Sequence, residues 1–262
     1  GPPGTGKTFT TTMITQLLYN NLCRNISQPA HQILLVAHSN LAVDQLLRDL
    51  YSALRKQGCA ETFPFVRLGR QSCDPLANRY TIDGHYDYWR QKILHVCERY
   101  GADTSTALGK VCVQVGAMAD AQQYAEASIL FRDFHQRSVR PLEFLFAEAC
   151  SVSASEASRM FDRVGIPKNA RQPAALRALL TDLEPIAQFL DWLACSHRDT
   201  RDRLLKHAAV IVVTCSGAAV YQTALRRLNI RTVVLEEAGK ILETEILATF
   251  FPSTERLVLI GD

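Results

Sequence analysis

The first eight residues, Gly1-Pro2-Pro3-Gly4-Thr5-Gly6-Lys7-Thr8, set glycine, lysine and threonine at the spacing G-x-x-x-x-G-K-T, directly ahead of a helix-forming run from about Lys7 to Leu22. That spacing fills every fixed position of a phosphate-binding loop. Glycines let successive backbone N–H groups curl around phosphate oxygens, and the N-terminus of the helix adds positive potential. In such a loop Lys7 reaches the β- and γ-phosphates and the Thr8 hydroxyl ligates Mg²⁺. A chance glycine-rich turn is the rival explanation. The helix that follows at once, and an acidic motif downstream, weigh against it.

The acidic motif is Val233-Val234-Leu235-Glu236-Glu237, an apolar strand ending in two carboxylates. A phosphate-binding loop needs such a partner: one acid holds the magnesium ion, usually through its water, and a second polarises the attacking water. By position Glu236 is the magnesium acid and Glu237 the candidate general base. A solvated charge pair at a strand end would explain the two residues if they stood alone.

Residues 1–75 alternate helix and strand signals: the helix after the loop, an apolar strand at Ile33–Ala37, a helical spacing of Val43, Leu46, Leu47, Leu50 and Leu54, and a short strand at Phe65–Leu68. Short, continuously apolar strands separated by helices predict an α/β fold with a mostly parallel sheet buried on both faces. Residues 76–206 carry helical periodicity without strand signals, as in Trp89–Tyr100, Ala121–Phe134, Pro141–Ala149, Ala174–Leu183 and Pro185–Ala194. Within them Ser153-x-x-Glu156 reads as a capping box. This stretch is expected to be a large helical insertion. Strands return in residues 207–262, at Ala209–Thr214, Thr232–Leu235 and Arg256–Ile260.

Composition narrows the class without choosing within it. With 262 residues, 47% hydrophobic and 21% charged, the chain is globular rather than disordered or fibrous. No stretch nears the roughly 18 apolar residues of a membrane-spanning helix, so no membrane partner is expected. A net charge of +3 is too small to argue for nucleic acid. The eight cysteines form no C-x-x-C pair and the seven histidines show no metal spacing, so zinc and a disulfide framework are unsupported and reduced intracellular thiols are expected. Arg198, Arg201, Arg203 and Lys206 read as a solvated helix face. Both ends fall inside loops of functional motifs, which marks the chain as a piece of a longer protein. A strand is then expected before Gly1, near Ala209–Thr214 and Thr232–Leu235.

Two further strand ends are not needed to bind nucleotide. Ile33–Ala37 runs into His38-Ser39-Asn40-Leu41-Ala42-Val43-Asp44, and Val210–Val213 runs into Thr214-Cys215-Ser216-Gly217-Ala218. Small hydroxyl and amide side chains beside helix N-termini suit a grip on a sugar-phosphate backbone. For each residue alone, plain helix capping is the rival.

Taken in order, GPPGTGKT, AHSNLAVDQLL, VVTCSGA, VVLEEAGK and LVLIGD resemble the first motor domain of superfamily 1 helicases, in the branch of the nonsense-mediated-decay helicase. Asn40-Leu41-Ala42-Val43-Asp44 carries the branch-specific S-N-x-A-V-D pattern. The resemblance implies a P-loop NTPase with a RecA-like core, ATP with Mg²⁺, movement along single-stranded RNA or DNA, and a second RecA-like domain in the parent chain. An intracellular location, cytoplasmic or nuclear, goes with it. It further implies that Ser39, Asn40, Thr214, Ser216 and Gly217 face nucleic acid, and that Gly261 and Asp262 begin the loop coupling ATP to the strand.

The chain departs from the family at the acidic motif. Where most members read D-E-A-x-Q, it reads Glu236-Glu237-Ala238-Gly239-Lys240. Lys240 replaces a glutamine that contacts the γ-phosphate or its water; a cation can hold phosphate there but cannot orient water by accepting a proton. The E-E-A start with Leu242-Glu243 is similar to the NFX-type zinc-finger helicase-like group. A nucleotide-binding scaffold with slow hydrolysis is therefore the alternative. The absence of an N-K-x-D motif argues against a GTPase, and the acidic pair beside the S-N-x-A-V-D-like element argues against a kinase.

Overall fold

The computed structural model describes residues 6–22, 31–56, 65–70, 72–141, 158–159, 161–162, 164, 166, 173–195 and 197–261. The chain divides into two compact units, one of Gly1–His85 with Arg201–Asp262, the other of Tyr86–Thr200. The sequence pattern sets the helical insertion at 76–206; the second compact unit has the bounds just given.

The first unit is built on strands β1 (Gln32–Ala37), β2 (Phe65–Arg67), β3 (Val210–Thr214), β4 (Ile230–Glu236) and β5 (Arg256–Ile260). They form one sheet in the order β2-β3-β1-β4-β5, every pair parallel, which is the expected α/β architecture of a RecA-like P-loop NTPase. β1 is the central strand, with Ile33 beside Val210 on one side and Thr232 on the other. It therefore separates Ala209–Thr214 from Thr232–Leu235. All six of its residues are buried, and from Ile33 to Ala37 the pattern is unbroken apolar, as a strand covered on both faces demands. At the β5 edge Leu257 and Leu259 are exposed.

Parallel strands need crossovers, and helices supply them. Helix α1 (Lys7–Leu22) precedes β1, and α2 (Asn40–Arg55) joins β1 to β2. On α2 the residues Val43, Leu46, Leu47, Leu50 and Leu54 recur at helical spacing and are almost fully buried against Ile33, Leu35, Phe65, Val210 and Val212. Each such side chain contributes about 1.5–3 kcal/mol before entropy is counted. The short α3 (Pro75–Arg79) follows β2, capped by the Asp74 carboxylate. Helix α4 (Ile82–Gly101) begins in this unit and continues into the second.

The second unit is helical: the rest of α4, then α5 (Ala107–Asp120), α6 (Tyr124–Phe134) and α7 (Pro173–Leu193), with α8 (His197–His207) leading back. Two expectations are corrected. The helix expected over Ala121–Phe134 starts at Tyr124, because Gln122 takes a left-handed φ of 60° and ends α5. The helices expected over Ala174–Leu183 and Pro185–Ala194 are the single helix α7 with Pro185 inside it. An interior proline costs roughly 3 kcal/mol. Leu176, Leu179, Leu183, Ile186, Leu190 and Leu193 form a buried stripe running through that point, and their combined burial outweighs the break. Trp89 stacks on Phe189 at 5.7 Å and meets Trp192 edge-on at 4.7 Å within this core. Of Pro141–Ala149 only Pro141 is described, and the Ser153–Glu156 box lies outside the described residues. Among the described residues no helix is long and apolar enough to cross a membrane.

After β3 come α9 (Cys215–Val220) and α10 (Gln222–Leu225), then β4, a 3-10 turn at Ala238–Lys240, α11 (Glu243–Leu247) and β5.

Candidate nucleotide and nucleic-acid site

Because every strand is parallel, all carboxyl ends lie on one edge of the sheet, where sites form in open α/β folds. The register keeps them level: Ala37 is opposite Thr214, Val36 opposite Leu235, and Glu236 opposite Ile260. From one edge, then, emerge Thr214–Gly217 after β3, Ser39–Asn40 after β1, Glu236–Glu237 at the end of β4 and Gly261 after β5.

Helix α1 brings Thr8 to this edge, where its hydroxyl donates to the Glu236 carboxylate. Glu236 is only 3% exposed. Burial raises its pKa above the usual carboxylate range; the Thr8 hydrogen bond opposes the shift, while the Glu237 and Asp49 carboxylates add to it. A buried acid of raised proton affinity is short of positive charge, and a carboxylate beside a hydroxyl is a hard oxygen pair of the kind Mg²⁺ accepts along with phosphate oxygens and waters. The two residues thus fit a magnesium ion. No group of three or more His, Cys, Asp or Glu side chains able to hold a metal ion occurs among the described residues. Ahead of them Gly6 has φ +78°, and the Thr10 hydroxyl donates to its carbonyl at 3.1 Å. Gly1, Pro2, Pro3, Gly4, Thr5 and the Lys7 side chain lie outside the described residues.

Glu237 takes a left-handed φ of 54° as the chain turns into Ala238–Lys240, and the Lys240 ammonium pairs with Glu237 Oε1 at 2.8 Å. Gly261 presses on the same turn: a Cβ there would come within 2.8 Å of the Ala238 nitrogen and 3.0 Å of the Gly239 nitrogen. Only glycine lets the end of β5 approach so closely. Asp262 lies outside the described residues.

At the other two strand ends the hydroxyls serve as caps. Ser39 Oγ accepts from the Ala42 N–H at 3.2 Å and opens α2. Thr214 Oγ1 accepts from the Gly217 N–H at 3.0 Å and opens α9, with Ser216 Oγ 3.2 Å away. Ser39 keeps its own O–H to donate, while one O–H of the Thr214–Ser216 pair is spent on the other hydroxyl. Asn40 is exposed. Burial raises the neighbouring Cys215 thiol to about 11, with Glu245 adding to the shift, so it stays protonated near neutrality and offers no nucleophile.

Sequence reasoning missed what stands behind Asn40. Arg67, 1% exposed at the end of β2, pairs through Nε with Asp44 Oδ1 at 2.7 Å. Ser72 donates to the other Asp44 oxygen at 2.6 Å, Asp74 receives Arg48 at 2.7 Å, and Arg67 Nη2 reaches Asn40 Oδ1 at 3.4 Å. The available signal was a charge inside each of two apolar patterns: arginine in Phe65–Leu68, and aspartate between Val43 and Leu46.

Helicase required for RNAi-mediated heterochromatin assembly 1 of Schizosaccharomyces pombe is 46% identical over 59 residues, 22% of this chain and 6% of that protein. NFX1-type zinc finger-containing protein 1 of Homo sapiens is 41% identical over 59 residues, 22% of this chain and 3% of that protein. Helicase sen1 of Schizosaccharomyces pombe is 25% identical over 276 residues, 100% of this chain and 15% of that protein. The chain spans only a small part of the length of these curated relatives. A profile of the AAA domain family matches residues 1–262, and the chain belongs to that family, among the superfamily 1 helicases of the nonsense-mediated-decay-helicase type.

Proposed function

We propose that the chain is the ATP-binding and ATP-hydrolysing motor domain of a helicase acting on single-stranded RNA or DNA. The observation that carries this reading is the hydrogen bond from Thr8 to the buried Glu236, which joins the helix after the glycine-rich loop to the end of the acidic strand. The relatives named as helicases point the same way.

In this reading the backbone of Gly1–Thr8 wraps the phosphates, with Pro2, Pro3, Gly4 and Thr5 shaping the loop and Lys7 neutralising the β- and γ-oxygens. Thr8 and Glu236 would hold the magnesium ion. When bound, that ion neutralises phosphate charge and stabilises the departing diphosphate oxygen. Glu237 takes a proton from the attacking water as its oxygen bonds to the γ-phosphorus and the bond to the ADP oxygen breaks. Lys240 holds a phosphate oxygen. Ser39, Asn40, Thr214, Ser216 and Gly217 grip the strand, and Gly261 with Asp262 relays the state of the Glu237 turn. A second RecA-like domain of the parent chain closes the site, the helical insertion is an accessory domain, and the protein works in the cytoplasm or nucleus.

The scaffold alternative draws on one observation, the Lys240–Glu237 ion pair. Lys240 is 65% and Glu237 35% exposed, and an exposed pair is worth at most about 1 kcal/mol. That is too little to keep Glu237 from a water molecule, and the motor reading is preferred. In the full-length protein Glu237→Gln is expected to keep triphosphate binding and lower turnover by ~10²–10⁴. Wild type without nucleic-acid-stimulated phosphate release would establish the scaffold instead.

A further inference from the structure

We infer that Arg67 is a positioning residue that turns the Asn40 amide outward, so that the corner after β1 presents the Asn40 NH₂ donors to nucleic acid. The inference rests on the proposed role of Asn40 in holding the strand.

A guanidinium carries five N–H donors and no acceptor. Buried at the end of β2, Arg67 must place those donors on oxygens. It does so on Asp44 Oδ1 at 2.7 Å, the Arg70 carbonyl at 2.5 Å and Asn40 Oδ1 at 3.4 Å. The group of Asn40 that faces Arg67 is thereby decided by chemistry: only the amide oxygen can accept, so the NH₂ points away, at an exposed position on the site edge. The pair is enclosed by the loop after β2. Gly69 has φ +124°, and a Cβ there would lie 3.7 Å from Asn40 Oδ1 and 3.8 Å from Arg67 Nη1. Asp44, locked by Ser72 as well, fixes Arg67 to α2, the helix that begins with Asn40.

Beside the outward amide stands Ser39, whose oxygen is occupied by the Ala42 N–H and whose own hydrogen remains to donate. The Asn40 NH₂ and the Ser39 O–H are adjacent donors, and they match phosphate oxygens, which only accept. The exposed Arg70 adds a cation at the end of β2. In the sheet order, the β3 end with Thr214 and Ser216 lies between the ends of β2 and β1. The occupant is thus the sugar-phosphate backbone of a single strand.

The test is a coupling measurement in the full-length protein, with fluorescent oligouridylate and oligothymidylate of equal length as probes. Replacing Arg67 alone would leave Asp44 buried and unpaired, so Arg67→Met is made together with Asp44→Leu, which removes both charges. Asn40→Ala is expected to weaken strand binding roughly tenfold, the size of one hydrogen bond to a charged group. The Arg67→Met/Asp44→Leu variant is expected to weaken it similarly, and adding Asn40→Ala to that variant is expected to weaken it no further. Losses that multiply would show Arg67 to be a packing element only and overturn the inference. A second arm does not depend on that variant folding. Asn40→Asp keeps the oxygen that faces Arg67 but turns a carboxylate oxygen to the strand, and should bind worse than Asn40→Ala; equal or tighter binding overturns the outward donor. If wild type binds neither probe, the proposed function itself fails and the inference with it. If wild type binds, Asn40→Ala weakens it and the losses multiply, the inference alone fails.

Discussion

The Thr8 hydroxyl donates to the Glu236 carboxylate, linking the second residue of α1 to the last residue of β4 across what would otherwise be two independent ends of the fold. The hydrogen bond only partly offsets the burial of that acid, whose pKa stays above its ordinary range.

That direction makes a pH prediction. A carboxyl group with a raised folded pKa binds more protons in the folded than in the unfolded chain, so its stabilisation is complete below the ordinary carboxylate pKa and is lost as pH rises through the raised value. Thermal melts of the ligand-free protein across this window should show Glu236→Gln losing that fall relative to wild type. Protons and Mg²⁺ compete for the same oxygens, so magnesium affinity in the presence of a triphosphate should drop as the group protonates in wild type, and be weak at every pH in Glu236→Gln. Parallel melting curves for the two proteins would remove Glu236 from this role.

Lys240 gives the second prediction. Its ammonium sits on Glu237 Oε1 at 2.8 Å, in the turn that Gly261 holds from beneath. Lys240→Gln leaves Glu237 without that partner and adds a side chain able to orient water. Under the motor reading, nucleic-acid-stimulated phosphate release should rise by up to about fivefold, the worth of an exposed pair of about 1 kcal/mol. A fall in steady-state rate would mean that the hold of Lys240 on the phosphate outweighs its hold on Glu237.

The strands and the motif order were legible in the sequence for a simple reason. Ile33–Ala37, Val210–Val213 and Val233–Leu235 are buried on both faces and so must be continuously apolar, and a chemical motif directly follows each of these three strand ends. What could not be read was tertiary. Pro185 looks like a helix boundary until the stripe from Leu176 to Leu193 is seen to be buried as one surface. Arg67 and Asp44 are 23 positions apart, and nothing local to either names the other. Ser39 and Thr214 show why single residues mislead: both cap helices, and capping by itself neither supports nor opposes a grip on phosphate.

His85 supplies the third prediction, on stability. Its Nε2 lies 2.9 Å from the Phe65 carbonyl, which places a proton on Nε2. Burial pushes its pKa from 6.5 down to about 4; the Phe65 hydrogen bond opposes the shift and Arg79 adds to it. For a base held neutral in the fold, stability is complete above the unfolded pKa and is lost as pH falls toward the folded one. Between pH 6.5 and about 4 this costs about 1.4 kcal/mol per pH unit. His85→Gln can still donate to Phe65 and should flatten that slope in denaturant titrations. A smaller slope of the same sign should remain from His31, which burial and the Arg256 and Arg231 charges also lower.

The last prediction separates stability from chemistry, because it concerns the opposite edge of the sheet. Gln32 opens β1 and is 2% exposed; its Nε2 donates to the Leu205 and Ala208 carbonyls, each at 2.7 Å, and its Oε1 accepts the Asn229 N–H at 3.0 Å. One side chain thus satisfies the end of α8, the approach to β3 and the entry to β4. Leucine of similar size would leave two buried carbonyls and one N–H unsatisfied, a cost of about 3 kcal/mol after partial relaxation. Glutamate would be worse, since it turns an unpaired carboxylate oxygen toward those carbonyls. Gln32→Leu should therefore lower Tm by roughly 6–9 °C and Gln32→Glu by more. Neither residue nor partner is near Thr8, Glu236 or Asn40 along the strands, so triphosphate and strand affinity measured well below the melt should match wild type. A loss of affinity at that temperature would mean that the two edges of the sheet are mechanically coupled through β1, the strand that joins Gln32 to Asn40.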